Sequence, residues 1–279
     1  MNKISILNNS EKISLNSFPF PHVVIKDALP KQLADQLTSE FPIINFDTSG
    51  NNKRKDISAS KVKNAIDISS LWKEFIDYHS SHGFFQEVIE VFKPCLSDNE
   101  YAFYIQFASG IRGVNEHKKK QILLDAQISI NTPVIKASSV RKAHVDNTNK
   151  LFSGLYYLRS GDDNSQGGDL ELLKWNKSYT DKQKIKFYKE GVSHNHFSTF
   201  KKINYENNVA ILFLNSINAL HLVTPRHPTA HVRCFVNLVG ELDHDIFEKH
   251  NIFEKNINFL KDKYFKFKEK NLLKNLFKS

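Results

Sequence analysis

In the stretch His144-Val-Asp146 an imidazole and a carboxylate lie two positions apart. On an extended chain such positions point to the same side, so both groups can reach one cation. A second imidazole, His221, comes 75 positions after Asp146, between the β-rich run Val209-Ala-Ile-Leu-Phe-Leu214 and Leu222-Val-Thr-Pro225. Two neutral imidazoles and one carboxylate form the facial ligand set typical of non-haem iron(II), with neighbouring positions left open for a chelating cosubstrate and dioxygen. Zinc uses the same donors, so ligand type alone does not choose the metal.

A cation further along the chain adds a second kind of chemistry. The strand His231-Val-Arg-Cys-Phe-Val-Asn-Leu-Val239 carries Arg233, 12 positions after His221. A guanidinium at the base of a pocket can hold a carboxylate through two parallel hydrogen bonds. Arg226 competes for that role, but it sits in the Pro225 to Pro228 turn, where loops usually face water, so Arg233 is preferred. His194 and His196 could form a cupin-like metal pair, yet no acidic residue follows at a suitable distance. His227 and His231 flank the Arg226 turn and would border an entrance. Gly-rich phosphate loops, Walker lysines and nucleophile elbows are absent from the sequence.

Positioning these groups requires a β framework. After Tyr101 short β-branched and aromatic runs recur at Ala102 to Phe107, Ile122 to Ile130, Phe152 to Leu158, Asp169 to Leu173, Val209 to Leu214 and His231 to Val239. Turn-forming clusters such as Ser160-Gly-Asp-Asp-Asn-Ser-Gln-Gly-Gly168 separate them, as in a sandwich, jelly roll or barrel. Upstream, His22-Val-Val-Ile-Lys26 reads as a strand. Leu33, Leu37 and Phe41 mark a helix, and two more are expected over Leu71 to His79 and Gly83 to Phe92. The polar segment Thr48 to Asp67 reads as a loop. From Ile246 a stripe of Phe253, Ile257, Leu260 and Tyr264 is again helical. The expected fold is mainly β with helical additions (α+β), its helices packed on one side. A single domain over 1–279 would comprise a helix-rich part (1–100), a β core (101–242) and a basic C-terminal helix (243–279).

Composition bounds the function. Of 279 residues 40% are hydrophobic and 25% charged, as in ordinary globular proteins. No run reaches the roughly 18–20 apolar residues that cross a bilayer. Met1 to Asn9 lacks the apolar run of a secretory signal, and two cysteines, Cys95 and Cys234, make no disulfide framework. A reduced, cytoplasmic protein is the expectation. The net charge of +9 draws in part on nine lysines against five acids from Asp245 to Ser279, and on the basic loop Gly113 to Lys120. The tail's excess reads first as a solvated helical face. The charge could also attract nucleic acid, anionic lipid or acidic small molecules, and mildly favours an anionic substrate, while no RNA-binding or zinc-finger signature accompanies it.

His144-Val-Asp146, Gly154-Leu-Tyr-Tyr-Leu158, Gly167-Gly-Asp-Leu170 and His221-Leu-Val-Thr-Pro225 followed by Arg233 together resemble the prolyl 4-hydroxylase-like branch of the iron(II)/2-oxoglutarate-dependent dioxygenases. The resemblance covers about residues 135–242. A weaker likeness over Phe18 to Pro42 is to the opening strand and helix of bacterial relatives. The resemblance implies a double-stranded β-helix, or jelly-roll, core with the iron at its open end. His144, Asp146 and His221 would be the ligands, and Tyr157 would help Arg233 hold the distal carboxylate of 2-oxoglutarate. Tyr156, its strand neighbour, must face the other way and reads as core. Iron(II) and 2-oxoglutarate are the implied cofactor and cosubstrate, ascorbate an optional addition, and hydroxylation with release of succinate and carbon dioxide the implied reaction. In two respects the sequence departs from many relatives: the interval from His221 to Arg233 is longer, and Phe235 stands where a hydroxyl residue is common. The substrate could be a peptide, or a sugar, nucleotide or other anionic small molecule, because fold and metal site do not fix it. A jelly roll can also serve as a non-catalytic binding module, its basic C-terminal helix then docking to a partner or an acidic membrane.

Overall fold

Alternation along Ile122-Leu-Leu-Asp-Ala-Gln-Ile-Ser-Ile-Asn131 separates an apolar row from a polar one, and this split organises the molecule. A computed structural model describes residues 4–8, 13–114 and 120–247. Its strands are β1 (Leu15–Asn16), β2 (His22–Lys26), β3 (Arg54–Ile57), β4 (Ser109–Ile111), β5 (Ile122–Asn131), β6 (Lys150–Tyr157), β7 (Leu170–Trp175), β8 (Phe197–Ile203), β9 (Val209–Leu214), β10 (His221–Val223) and β11 (Arg233–Leu242). The helices are α1 (Lys31–Ser39), α2 (Ala59–Val62), α3 (Ser70–His79), α4 (His82–Phe92), α5 (Asp98–Tyr104) and α6 (Asp181–Glu190).

The large sheet runs β1-β2-β9-β6-β11-β5-β3, with β4 added in parallel to β5; the small sheet runs β10-β7-β8. The chain passes from β6 to β7, returns at β9, crosses again to β10 and comes back at β11. All pairings between these core strands are antiparallel. Two antiparallel sheets filled by alternate crossings are the jelly-roll arrangement, a double-stranded β-helix.

The apolar row of β5 (Ile122, Leu124, Ala126, Ile128, Ile130) meets the helical layer, where Trp72, Phe75 and Ile76 of α3 and Phe84, Phe85, Val88, Ile89 and Phe92 of α4 are all buried. Each such side chain removed from water contributes about 1.5–3 kcal/mol, so this face anchors the framework. The opposite faces of β6, β9 and β11 turn Tyr157, Ile211, Phe213 and Phe235 toward Leu170 and Leu172 of the small sheet.

Several expectations need correction. Residues 102–107 are not extended: 102–104 close α5 and a turn follows. Ser97 and Glu100 form a reciprocal capping box that starts α5, and Phe103, Tyr104 and Phe107 then pack as neighbouring rings. Thr48 to Asp67 is not only a loop: Arg54–Ile57 pairs with β5 as an edge strand, a place where charged residues are favoured, and α2 follows. The N-terminal hundred residues therefore supply three strands of the large sheet as well as helices. Strand β8 and helix α6, which starts with a Thr180–Gln183 capping box, were not anticipated. The helix expected from Ile246, and with it the tail to Ser279, lies outside the described residues beyond Phe247, as do residues 115–119 of the basic loop. Both cysteines are free thiols. No helix among the described residues is long and apolar enough to cross a membrane.

Candidate metal centre

His144 and His221 are joined through their backbones before their side chains matter. The His144 N–H donates to the His221 carbonyl (3.0 Å) and the His221 N–H to the His144 carbonyl (2.9 Å). Residues directly opposite in such a pair project their side chains to the same face, and the two imidazole centroids are 4.3 Å apart. Asp146, two residues on, completes the cluster. One ligand atom from each of His144, Asp146 and His221 lies within 4.8 Å of the others.

Each ring is also oriented. Nδ1 of His144 lies 2.7 Å from the Lys142 carbonyl, and Nδ1 of His221 lies 2.9 Å from that of Ala219. A carbonyl only accepts, so both Nδ1 atoms carry the proton and both Nε2 lone pairs remain for a cation. Burial pushes His221 below the ordinary imidazole range; burial, the nearby His221 and Arg141 push His144 well below it. Both rings are therefore neutral near pH 7. Burial opposes ionisation of Asp146, yet its neighbours His221, Lys150 and His144 and the Ser153 hydroxyl hold its carboxyl well below the usual carboxylate range. Its Oδ2 accepts from Ser153 Oγ at 2.6 Å and faces Lys150 Nζ at 3.4 Å. Oδ1, 3.7 Å from His144 Nε2, is left for the cation.

The triad opens onto a cavity whose lining includes Arg233 and Asn131. Arg233 is only 2% exposed, with its Nη1 donating to Asn131 Oδ1 (3.1 Å) and Nη2 to the Tyr157 hydroxyl (2.9 Å). Aromatic rings of Tyr157, Tyr205 and Phe235 flank its guanidinium at 4.8, 5.2 and 4.8 Å. No carboxylate among the described residues forms an ion pair with it, and Nε of Arg233 and Nδ2 of Asn131 are buried without acceptors. A buried donor left unmade costs about 1–3 kcal/mol, so these atoms fit an absent anionic acceptor. Burial pushes the Tyr157 phenol up, which keeps its proton available for donation. Tyr156 turns the other way, into the helical layer near Phe75.

Arg226 has a different environment from the one its turn suggested. It is fully buried, because Asn52, Thr132 and His231 supply oxygen acceptors for its guanidinium at 3.1, 2.9 and 2.8 Å. Those bonds staple the Pro225–Pro228 turn to the chain before and after β5, and Arg226 does not line the cavity. The Gly167-Gly168 pair makes this packing possible. Both have positive φ, and a Cβ on Gly167 would lie 1.9 Å from the Pro225 carbonyl oxygen. One on Gly168 would meet Arg226 Cδ and Arg233 Cδ, each at 3.1 Å. His194 and His196 sit in a short 3-10 turn, where His196 stacks on Phe187 at 3.9 Å. They join no potential metal cluster among the described residues. His227 and His231 do not line the cavity.

Sequence reasoning missed Ser153, Lys150, Asn131 and Arg54. Ser153 shares strand parity with Tyr157, and Asn131 lies on the polar row of β5, so alternation held a signal for both. Arg54 had none, since its segment read as a loop.

No protein-family model matches the sequence, and no curated protein does. Among solved structures, the chain is similar to a prolyl-4-hydroxylase of Pseudomonas putida (11% identity, TM-score 0.43, covering 87% of this chain and 100% of that one). A prolyl 4-hydroxylase of Phytophthora capsici aligns at 14% identity and TM-score 0.45, over 80% of this chain and 59% of that one. The dioxygenase for auxin oxidation 1 of Arabidopsis thaliana, in complex with 2-oxoglutarate, aligns at 13% identity and TM-score 0.43, over 81% and 85%.

Proposed function

We propose that this protein is an iron(II)- and 2-oxoglutarate-dependent dioxygenase that hydroxylates an organic substrate. One oxygen atom of dioxygen would enter the product hydroxyl and the other succinate, with loss of carbon dioxide from 2-oxoglutarate. One observation carries the reading: two oriented neutral imidazoles and one carboxylate share a cavity with a buried guanidinium that has no acidic partner among the described residues.

The donor set fits a ferrous ion. His144 Nε2, His221 Nε2 and Asp146 Oδ1 would hold it, and when bound it supplies the oxygen-activating redox chemistry that side chains lack. The protein's own residues do the rest. Ser153 and Lys150 occupy Oδ2 of Asp146, which keeps Oδ1 turned toward the imidazoles. Arg233, steadied by Asn131 and Tyr157, offers the far carboxylate of 2-oxoglutarate a charged, directional partner. Leu155, Leu170, Phe213 and Val223 give the cavity an apolar lining that limits water around the reacting carbon.

The test is anaerobic titration of the metal-free protein with iron(II) and then 2-oxoglutarate, followed by admission of oxygen and measurement of succinate. One equivalent of metal, 2-oxoglutarate binding that depends on it, and succinate release are expected. Asp146→Ala should lose all three. Wild-type metal affinity in that variant would defeat the assignment, and activity with zinc in place of iron would defeat the redox chemistry.

A further inference from the structure

The cavity is lined by four cationic side chains, Arg54, Arg141, Lys150 and Arg233, against one carboxylate, Asp146. On the reading above, a divalent cation and a dicarboxylate cosubstrate cancel one another, so loading the site leaves this surplus in place. Lys150 is engaged by Asp146, and Arg233 by the cosubstrate. Arg54 pairs with Asp56, which does not line the cavity, and Arg141 forms no ion pair among the described residues.

Arg54 is firmly held. Its Nε donates to both oxygens of Asp56, at 2.8 and 3.1 Å, and its Nη2 to Gln127 Oε1 at 3.3 Å. Gln127 also accepts from Asn237 Nδ2 at 2.8 Å, and the guanidinium lies 5.6 Å from the Phe235 ring centroid. These contacts fix the plane of the group and leave Nη1 without an acceptor among the described residues. Arg141 lines the same cavity, and its guanidinium makes no hydrogen bond or ion pair with any described residue. Like charges converging on a cleft with apolar walls repel one another and raise the local concentration of anions. Leu155, Phe213 and Phe235 offer adjacent apolar surface.

We infer that the substrate is a small organic anion, a carboxylate or a phosphate ester, whose charge is held by Arg54 and Arg141 while its carbon skeleton rests against Leu155, Phe213 and Phe235. The Arg54 guanidinium, held in plane, and the Arg141 guanidinium, left without a protein acceptor among the described residues, suit both headgroups, since each headgroup presents paired oxygens to N–H donors. Asp56 partly offsets Arg54, which makes Arg141 the stronger source of uncompensated charge.

The inference rests on the oxygenase reading, and calorimetry on the full chain separates the two. Manganese(II) and 2-oxoglutarate are titrated first, without oxygen, and report on the metal centre alone. Benzoate, phenyl phosphate and neutral benzyl alcohol are then titrated as probes. Both or either of the anions should bind in preference to the alcohol, and the tighter anion names the headgroup. Raising sodium chloride from about 50 to about 300 mM should weaken anion binding at least about fivefold. Arg54→Gln and Arg141→Gln should each weaken it about tenfold, the scale of one lost charge-assisted contact. Lys174→Gln, the same charge change at an exposed position of β7, should leave it unaltered. Normal manganese and 2-oxoglutarate binding with no preference for the anions overturns the inference. Anion binding that Lys174→Gln weakens as much as the arginine variants also overturns it. Anion binding without manganese or 2-oxoglutarate binding overturns the oxygenase reading instead and leaves the anion site standing.

Discussion

Replacing Arg233 by methionine should move two properties in opposite directions. Its guanidinium is almost fully buried, ringed by Tyr157, Tyr205 and Phe235, and forms no ion pair with a carboxylate among the described residues. A buried charge without a partner carries a desolvation cost, and hydrophobic replacement of buried ionic groups is often neutral or stabilising by about 1–4 kcal/mol. Against this, the variant strands Asn131 Oδ1 and the Tyr157 hydroxyl, at about 1 kcal/mol. The expected net change in unfolding free energy is about 0 to +3 kcal/mol in favour of Arg233→Met, read by urea denaturation without metal or cosubstrate. Binding of 2-oxoglutarate responds the other way. Two charge-assisted hydrogen bonds at about 1.5–3 kcal/mol each correspond to a loss of roughly two to four decades in affinity. Arg233→Lys, which keeps a charge but loses the fork, should fall between, about ten- to hundredfold weaker than wild type. Titration calorimetry with manganese(II) present measures both. Destabilisation by more than about 2 kcal/mol, with 2-oxoglutarate affinity intact, would refute the assignment and make Arg233 a structural residue.

Other outcomes follow from the same geometry. Ser153→Ala removes the 2.6 Å hydrogen bond that fixes Oδ2 of Asp146, so metal affinity should fall about ten- to hundredfold with little change in fold, as measured by metal titration and circular dichroism. Gly168→Ala forces a side chain into φ +81° and against both arginines; it should cost about 1–2 kcal/mol of stability and also weaken 2-oxoglutarate binding, whereas an effect on stability alone would detach the Gly-Gly turn from the site. His79 is fully buried, accepts the Ile6 N–H at Nε2 and donates from Nδ1 to the Phe75 carbonyl, and burial lowers its pKa from 6.5 to about 4. Its folded pKa lies below the unfolded one, so its contribution is complete above pH 6.5 and is lost as pH falls through about 4, a change of about 3 kcal/mol. Denaturation of wild type and His79→Gln across that window should show the steeper decline in wild type; parallel curves would contradict the buried neutral imidazole.

The local chemistry was legible where a short-range rule governs it. Strand β2 and strand β9 carry their β-branched runs to the ends that the sequence suggests, and α3 and α4 follow their apolar stripes within a residue. Alternation placed Tyr156 and Tyr157 on opposite faces, and the structure turns one to the helices and the other to Arg233 and the core between the sheets. His144 and Asp146 stood out because two positions on an extended chain share a side. Nothing local, however, separates Arg54–Ile57 from a polar loop. An edge strand there exists because β5 offers it unpaired backbone groups. The aromatic stretch before β4 misled for the converse reason: the Ser97–Glu100 cap outweighed its β propensity.

Donor types, the jelly-roll rhythm of strands and turns, and the parity of residues within each strand follow from the amino-acid order, because they depend on neighbours a few positions away. Tertiary structure alone decided that His144 and His221 meet through a two-residue backbone bridge, that Arg226 is consumed by carbonyls while Arg233 is left facing the cavity, and that Arg54 stands beside it. Those outcomes turn on which acceptors lie within about 3 Å after two sheets close over one another, a fact set by packing between segments distant in the chain.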